Sequence, residues 1–222
     1  MSTIAQRLNE IKATLPQGVT LVAVSKFHPV ETLQAAYDAG QRCFGESRVQ
    51  ELQQKVEKLP DDIEWHFIGH LQTNKVKYIV PYVAMIHSVD SLRILDEIER
   101  QAARVGRVID CLLEVHVAQE ETKYGFSPDE CLAVITPQLI AEHPHIRLRG
   151  IMGMASFTDN EVQVAGEFAQ LKHLFDTLRD GVMKEAYFDT LSMGMSQDYL
   201  LAIGQGSTMV RVGTTIFGER EY

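Results

Sequence analysis

Short apolar runs alternate with longer segments of helical periodicity along the whole chain. The opening segment, MSTIAQRLNEIKATL, sets Ile4, Leu8, Ile11 and Leu15 at helical spacing with charges between them, which predicts a surface-packed helix rather than a secretory leader. The β-branched run TLVAVS follows, then PVETLQAAYDAG, a helix opened by Pro29 and closed by Gly40. RCFGE precedes a polar helix, SRVQELQQKVEKL, with Ser47 as a capping residue and Pro60 past its end. EWHFIG leads into TNKVKYIVPY, and VAMIHSV into DSLRILDEIERQAARVG, where Asp90 or Ser91 can cap. VIDCLLEVHV predicts a long strand, and SPDECLAVITPQLIAEH a helix with a Ser-Pro start. LRGIMGMA precedes a long helix over 160–180, YFDTLSMGM precedes SQDYLLAIGQG, and TMVRVGT with TIFGERE closes the series.

The result is eight strand-then-helix units with no break in composition. Parallel neighbours need a crossover, and a helix is the usual one, so strict alternation predicts an α/β fold with a parallel sheet. Eight units are the number that closes a (β/α)8 barrel of the TIM type, here with one extra N-terminal helix. An open doubly wound sheet would carry G-x-G-x-x-G after its first strand, where this chain has KFHP. No linker or repeat interrupts the pattern, so a single barrel domain over residues 1–222 is expected.

The net charge of −9 argues against a nucleic-acid partner, because phosphate neutralisation needs clustered Lys and Arg. The three cysteines, Cys43, Cys111 and Cys131, are widely spaced without a C-x-x-C. That fits a reducing compartment and neither a disulfide framework nor a zinc motif, and no metal site is expected. No apolar run approaches the roughly 20 residues of a membrane span. A cytoplasmic protein with no membrane partner is the expectation.

In such a barrel the active site lies at the C-terminal strand ends, and phosphate is often held by the loops after strands seven and eight. Strand seven ends in LSMGMS and strand eight in RVGT, each with glycine and hydroxyl residues suited to an anion. Ser196 is expected at the start of the next helix, whose dipole favours negative charge. Lys26 ends strand one, which in a closed barrel neighbours strand eight. An amine beside a phosphate cradle suggests a ligand that is both a carbonyl compound and a phosphate. A sugar phosphate in a Schiff-base aldolase and pyridoxal 5′-phosphate (PLP) both satisfy that description. Arg211, at the end of strand eight, could face the mouth or the packing layer behind it; near a pyridine nitrogen it would keep the ring unprotonated and a poor electron sink.

The segments AVSK, FGESRVQE, WHFIGHLQTNK, LRGIMGM, LSMGMSQD and GSTMVRVGTTIFG together resemble the pyridoxal-phosphate homeostasis protein family, whose barrel is similar to the N-terminal domain of alanine racemase. The resemblance runs from about residue 20 to the C-terminus. It implies that Lys26 carries PLP as a Schiff base and that Ser192, Ser196, Gly213 and Thr214 fall in phosphate-binding motifs. It also implies that Arg211 faces the pyridine nitrogen and that Asn74 lies at the cofactor mouth. The role implied is that of a PLP carrier or regulator of PLP supply, affecting amino-acid and keto-acid metabolism, with PLP-dependent apoenzymes as possible partners and a monomer or weak dimer as the assembly. Two departures stand out: the family reads FGEN where Ser47 stands here, which puts any ring contact of Ser47 in doubt, and VN where this chain has His116.

Racemisation on PLP needs two bases, one on each face. In alanine racemases the second is a tyrosine from a separate β-domain, which has no expected counterpart in the short segment between Gly218 and Tyr222. A homeostasis protein without turnover is therefore favoured, ahead of a weak racemase-like enzyme recruiting Tyr124 or His116, and ahead of the aldolase. Other residues are read as ordinary: His66 as packed inside or near the ring, His70 as solvated, Glu120, Glu121 and Lys123 as a surface cluster, and Met152, Met154, Met193 and Met195 as packing.

Overall fold

A computed structural model describes residues 3–118, 124–184 and 187–219; Glu120, Glu121 and Lys123 lie outside the described residues. Eight parallel strands, β1 (Thr20–Val24), β2 (Cys43–Glu46), β3 (Glu64–Phe67), β4 (Val83–Val89), β5 (Ile109–His116), β6 (Ile146–Met154), β7 (Thr190–Ser192) and β8 (Met209–Val212), close into a barrel in chain order. Closure is made by β1 against β8, with Val22 in register with Arg211.

The helices are α1 (Ile4–Thr14), α2 (Val30–Asp38), α3 (Val49–Val56), α4 (Thr73–Val76), α5 (Leu92–Val105), α6 (Pro128–Val134), α7 (Pro137–Glu142), α8 (Glu161–Asp180), α9 (Tyr199–Gly204) and α10 (Thr214–Phe217). The extra helix α1 starts on a reciprocal capping box between Thr3 and Gln6 and buries Leu8 and Ile11. α5 ends on Gly106 at φ 66°, the left-handed conformation that glycine adopts without strain.

Several local expectations differ from what is found. Ser47 does not cap α3: Arg48 occupies that position without a side-chain capping bond, and the Ser47 hydroxyl is buried with no hydrogen-bond partner among the described residues. Ser91 is the residue before α5, but its hydroxyl donates to Asp90 rather than accepting from the helix. TNKVKYIVPY yields only the four-residue α4, followed by turns in which Ile79 and Val80 still donate to the Val76 carbonyl. The stretch after Ser127 is two helices, since Pro137 starts a new one behind the Thr136 cap. α9 begins at Tyr199, so Ser196 sits in the turn before the helix rather than at its start.

Side-chain alternation divides the core in two. Leu21 and Ala23 of β1, Ile109, Cys111 and Leu113 of β5, and Val210 and Val212 of β8 face the surrounding helices. Val22, Cys43, Met85, Leu112, Met152 and Met209 form a separate apolar cluster that plugs the barrel interior. The next inward positions up several strands are polar: His66, His87, Glu114, Ser192 and Arg211 are all buried.

Candidate functional site

The C-terminal ends of the strands bring Lys26, Ser47, Ser196, Gly213 and Thr214 to one rim. Lys26 lies in the turn two residues past the end of β1 and is half-buried. The backbone after it is unusual: Phe27 holds φ at 69°, alone among described non-glycine residues. β-branched and bulky side chains avoid this region, so the conformation has to be imposed by its surroundings. Two groups impose it. The Phe27 N–H donates to Glu51 Oε2 at 2.8 Å, and Lys55 Nζ donates to the Ser25 carbonyl at 2.9 Å.

Lys55 also donates to Glu46 Oε1 at 2.7 Å, an oxygen that accepts from the Ser25 hydroxyl at 2.6 Å. Lys55 and Glu46 are both buried, between β2 and α3. Burial pushes the Glu46 carboxyl upward, against the opposing pull of Lys55 and Ser25. The segment carrying Lys26 is thus clamped from behind by an ion pair and a carboxylate.

Beneath the rim a hydrogen-bonded chain crosses the barrel interior. Arg211 Nη1 donates to the Ser192 carbonyl at 2.9 Å and to its hydroxyl at 2.7 Å, and Nη2 donates to the Gly153 carbonyl at 3.1 Å. Ser192 Oγ lies 3.2 Å from His87 Nδ1, and His87 Nε2 lies 2.8 Å from His66 Nδ1. Burial holds the Arg211 guanidinium down to about 10, still a cation at neutral pH. Burial also drives His66 down to about 4 and His87 well below its ordinary value, so both imidazoles are neutral near pH 7. Glu114 faces Arg211 from β5, and burial, with Asp90 adding to it, raises its carboxyl to about 7.

The loops after β7 and β8 are tied to each other and to β1. Ser196 Oγ accepts from the Gly213 N–H at 3.2 Å. A Cβ on Gly213 would lie 2.9 Å from the Val24 carbonyl, so only glycine lets this loop press against the end of β1, two residues before Lys26. Thr214 is exposed and opens α10, whose first N–H groups have no intrahelical acceptor. Ser192, expected among the phosphate residues, instead commits its hydroxyl to the buried chain with Arg211 and His87. Asn74 is exposed on α4.

Sequence reasoning missed the Glu46–Lys55–Glu51 clamp, because a charged α3 reads as a solvated face. It also missed the role of Gly69, whose Cβ would lie 2.4 Å from the Ser47 carbonyl. His70 is not simply solvated: it stacks on Tyr124 with ring centroids 3.8 Å apart and lies 3.0 Å from Asp90 Oδ2.

Comparison with known proteins settles the relationship. A family model described as the N-terminal domain of alanine racemase matches residues 1–221. The chain is 42% identical over 228 residues to the pyridoxal phosphate homeostasis protein of Aquifex aeolicus, covering 100% of this chain and 97% of that protein. The chain belongs to the pyridoxal phosphate homeostasis protein family. The member from Schizosaccharomyces pombe is 40% identical, with 99% of this chain and 94% of that one covered. The structure of PipY from Synechococcus elongatus PCC7942 with PLP bound superposes with a TM-score of 0.87 at 37% identity, covering 97% of this chain and 100% of PipY. An alanine racemase from Clostridium difficile 630, at 17% identity and TM-score 0.75, covers 99% of this chain but 56% of its own and shows the shared barrel fold.

Proposed function

We propose that this protein holds PLP on the Lys26 amine and serves intracellular PLP homeostasis as a carrier or regulator rather than as an enzyme. The observation that carries the reading is the convergence of Lys26 with the β7 and β8 loops on one rim, in a chain of this family. The residues present fit the group. Two buried polar atoms near the rim, Ser47 Oγ and His116 Nδ1, have no hydrogen-bond partner among the described residues and are available to a ligand. The phosphate would be met by neutral donors: the Ser196 and Thr214 hydroxyls and the first N–H groups of α10.

When bound, PLP supplies an aldehyde carbon that condenses with amines and a ring that withdraws electrons. The chain's own part is to aim and to restrain. The Glu51 and Lys55 clamp aims Lys26. Arg211, a buried cation held by Ser192 and the Gly153 carbonyl, would disfavour protonation of a pyridine nitrogen placed near it, and so would mute electron withdrawal. Among the guesses for a second base, Tyr124 is stacked on His70.

A cytoplasmic location is part of this reading; among the described residues no helix is long and apolar enough to cross a membrane. PLP-dependent apoenzymes would be the recipients, the carrier itself being a monomer or weak dimer. The test is to add an amino acid to the PLP-loaded protein in deuterium oxide. A carrier leaves the α-proton in place, whereas washout at an enzymatic rate would favour the racemase-like alternative.

A further inference from the structure

On the side of the barrel opposite the rim, β2 and β3 bring three ligand types together. Cys43 and Glu64 are register partners across the two strands, and His66 lies two residues beyond Glu64 on the same face. The Cys43 sulfur, a Glu64 carboxylate oxygen and a His66 ring nitrogen all lie within 4.8 Å of one another. Zinc bonds of about 2.0–2.3 Å set ligand atoms roughly 3.3–3.8 Å apart in a tetrahedron, so small side-chain shifts suffice. Cys43 and His66 are buried, while Glu64 is exposed and marks the way in. Among the described residues the Glu64 carboxylate makes no hydrogen bond or ion pair.

His66 has the arrangement of a metal ligand in its outer contacts as well. Its Nδ1 is taken up by His87 Nε2 at 2.8 Å, which fixes the ring plane and leaves Nε2 as the nitrogen to bind a cation. Above Cys43 lie the apolar side chains of Val22, Met85 and Met209, a dry shell suited to a soft, thiophilic ion. We propose that Cys43, Glu64 and His66 form a three-ligand site for a thiophilic divalent cation, zinc above all, at the floor of the barrel, with water as fourth ligand. The thiol gives up its proton to bind as thiolate. With the cation on Nε2, His66 carries its proton on Nδ1 and donates to His87, whose own proton then lies on Nδ1 and is donated to Ser192 Oγ. Occupancy of the floor thereby sets the hydrogen-bond direction of the chain that ends at Arg211. The proposal is independent of the cofactor reading.

The experiment is a titration of the untagged, reduced full-length protein with Co2+, followed by competition with Zn2+. The expected result is one equivalent of Co2+ with a near-ultraviolet thiolate charge-transfer band and intense tetrahedral visible bands, both displaced by zinc. The charge-transfer band should vanish in Cys43→Ser, and Glu64→Gln, an exposed change that spares the core, should weaken binding. His87→Phe should cost about 10- to 100-fold in affinity, as loss of an orienting partner does. No thiolate band in the wild type, the same band in Cys43→Ser, or unchanged affinity in Glu64→Gln would overturn the site.

Discussion

The N–H of Phe27 donates to Glu51 Oε2 at 2.8 Å while Phe27 holds φ at 69°, so a helix carboxylate fixes the strained residue next to Lys26. Glu51→Ala leaves that N–H without its acceptor and releases the backbone. The expected loss is about 1–3 kcal/mol in urea unfolding, together with weaker PLP retention. A variant as stable as the wild type would show that the strain is held elsewhere.

Lys55 and Glu46 form a buried ion pair 2.7 Å apart. Lys55→Met strands the Glu46 carboxylate and should cost about 3–5 kcal/mol, whereas Lys55→Met with Glu46→Leu should recover part of it, since a matched apolar pair can replace a buried ion pair. Denaturant unfolding of the two singles and the double measures the coupling. Strict additivity would mean that the two groups do not act as a pair.

Two glycines predict opposite outcomes. A Cβ at Gly150 would lie 1.7 Å from the Thr190 carbonyl, across the β6–β7 pairing, with φ at 156°. Gly150→Ala should therefore lose about 4 kcal/mol or more, or fail to fold. Gly166 sits exposed within α8 with no atom near its Cβ position, and Gly166→Ala should gain about 0.5–1 kcal/mol. Paired thermal melts decide both.

The Glu114 carboxyl titrates at about 7 in the fold, against 4.5 for the ordinary group, because of burial and then Asp90. Between those values the native state holds a proton that the unfolded chain has lost. The stability this group contributes is thus fully present below 4.5 and is lost as pH rises through about 7. Glu114→Gln removes the titration, so its stability relative to the wild type should climb from acidic to neutral pH and then level off. A flat difference across that range would place the titration on another group.

The barrel was legible because each strand is a short apolar run and each crossover a periodic helix, and eight such units have one economical closure. The place of Lys26 at the rim was legible for the same reason, as a charge just beyond an apolar run, although the strand itself stops at Val24. What escaped was set by inter-strand register. Nothing local in LSMGMS says that the Ser192 hydroxyl turns inward to Arg211 and His87, and nothing in SRVQELQQKV says that Lys55 is buried against Glu46. The capping roles of Ser47 and Ser91 failed because side-chain oxygens near a helix start have competing partners or none, which periodicity does not reveal.

Whether Lys26 carries PLP is decided by borohydride reduction of the PLP-loaded protein, followed by peptide mass mapping of the wild type and Lys26→Ala. The visible absorption should disappear on reduction, and a phosphopyridoxyl adduct should be found on the peptide containing Lys26 and be absent from the variant. A protein that takes up no PLP, or an adduct confined to other lysines, would contradict it.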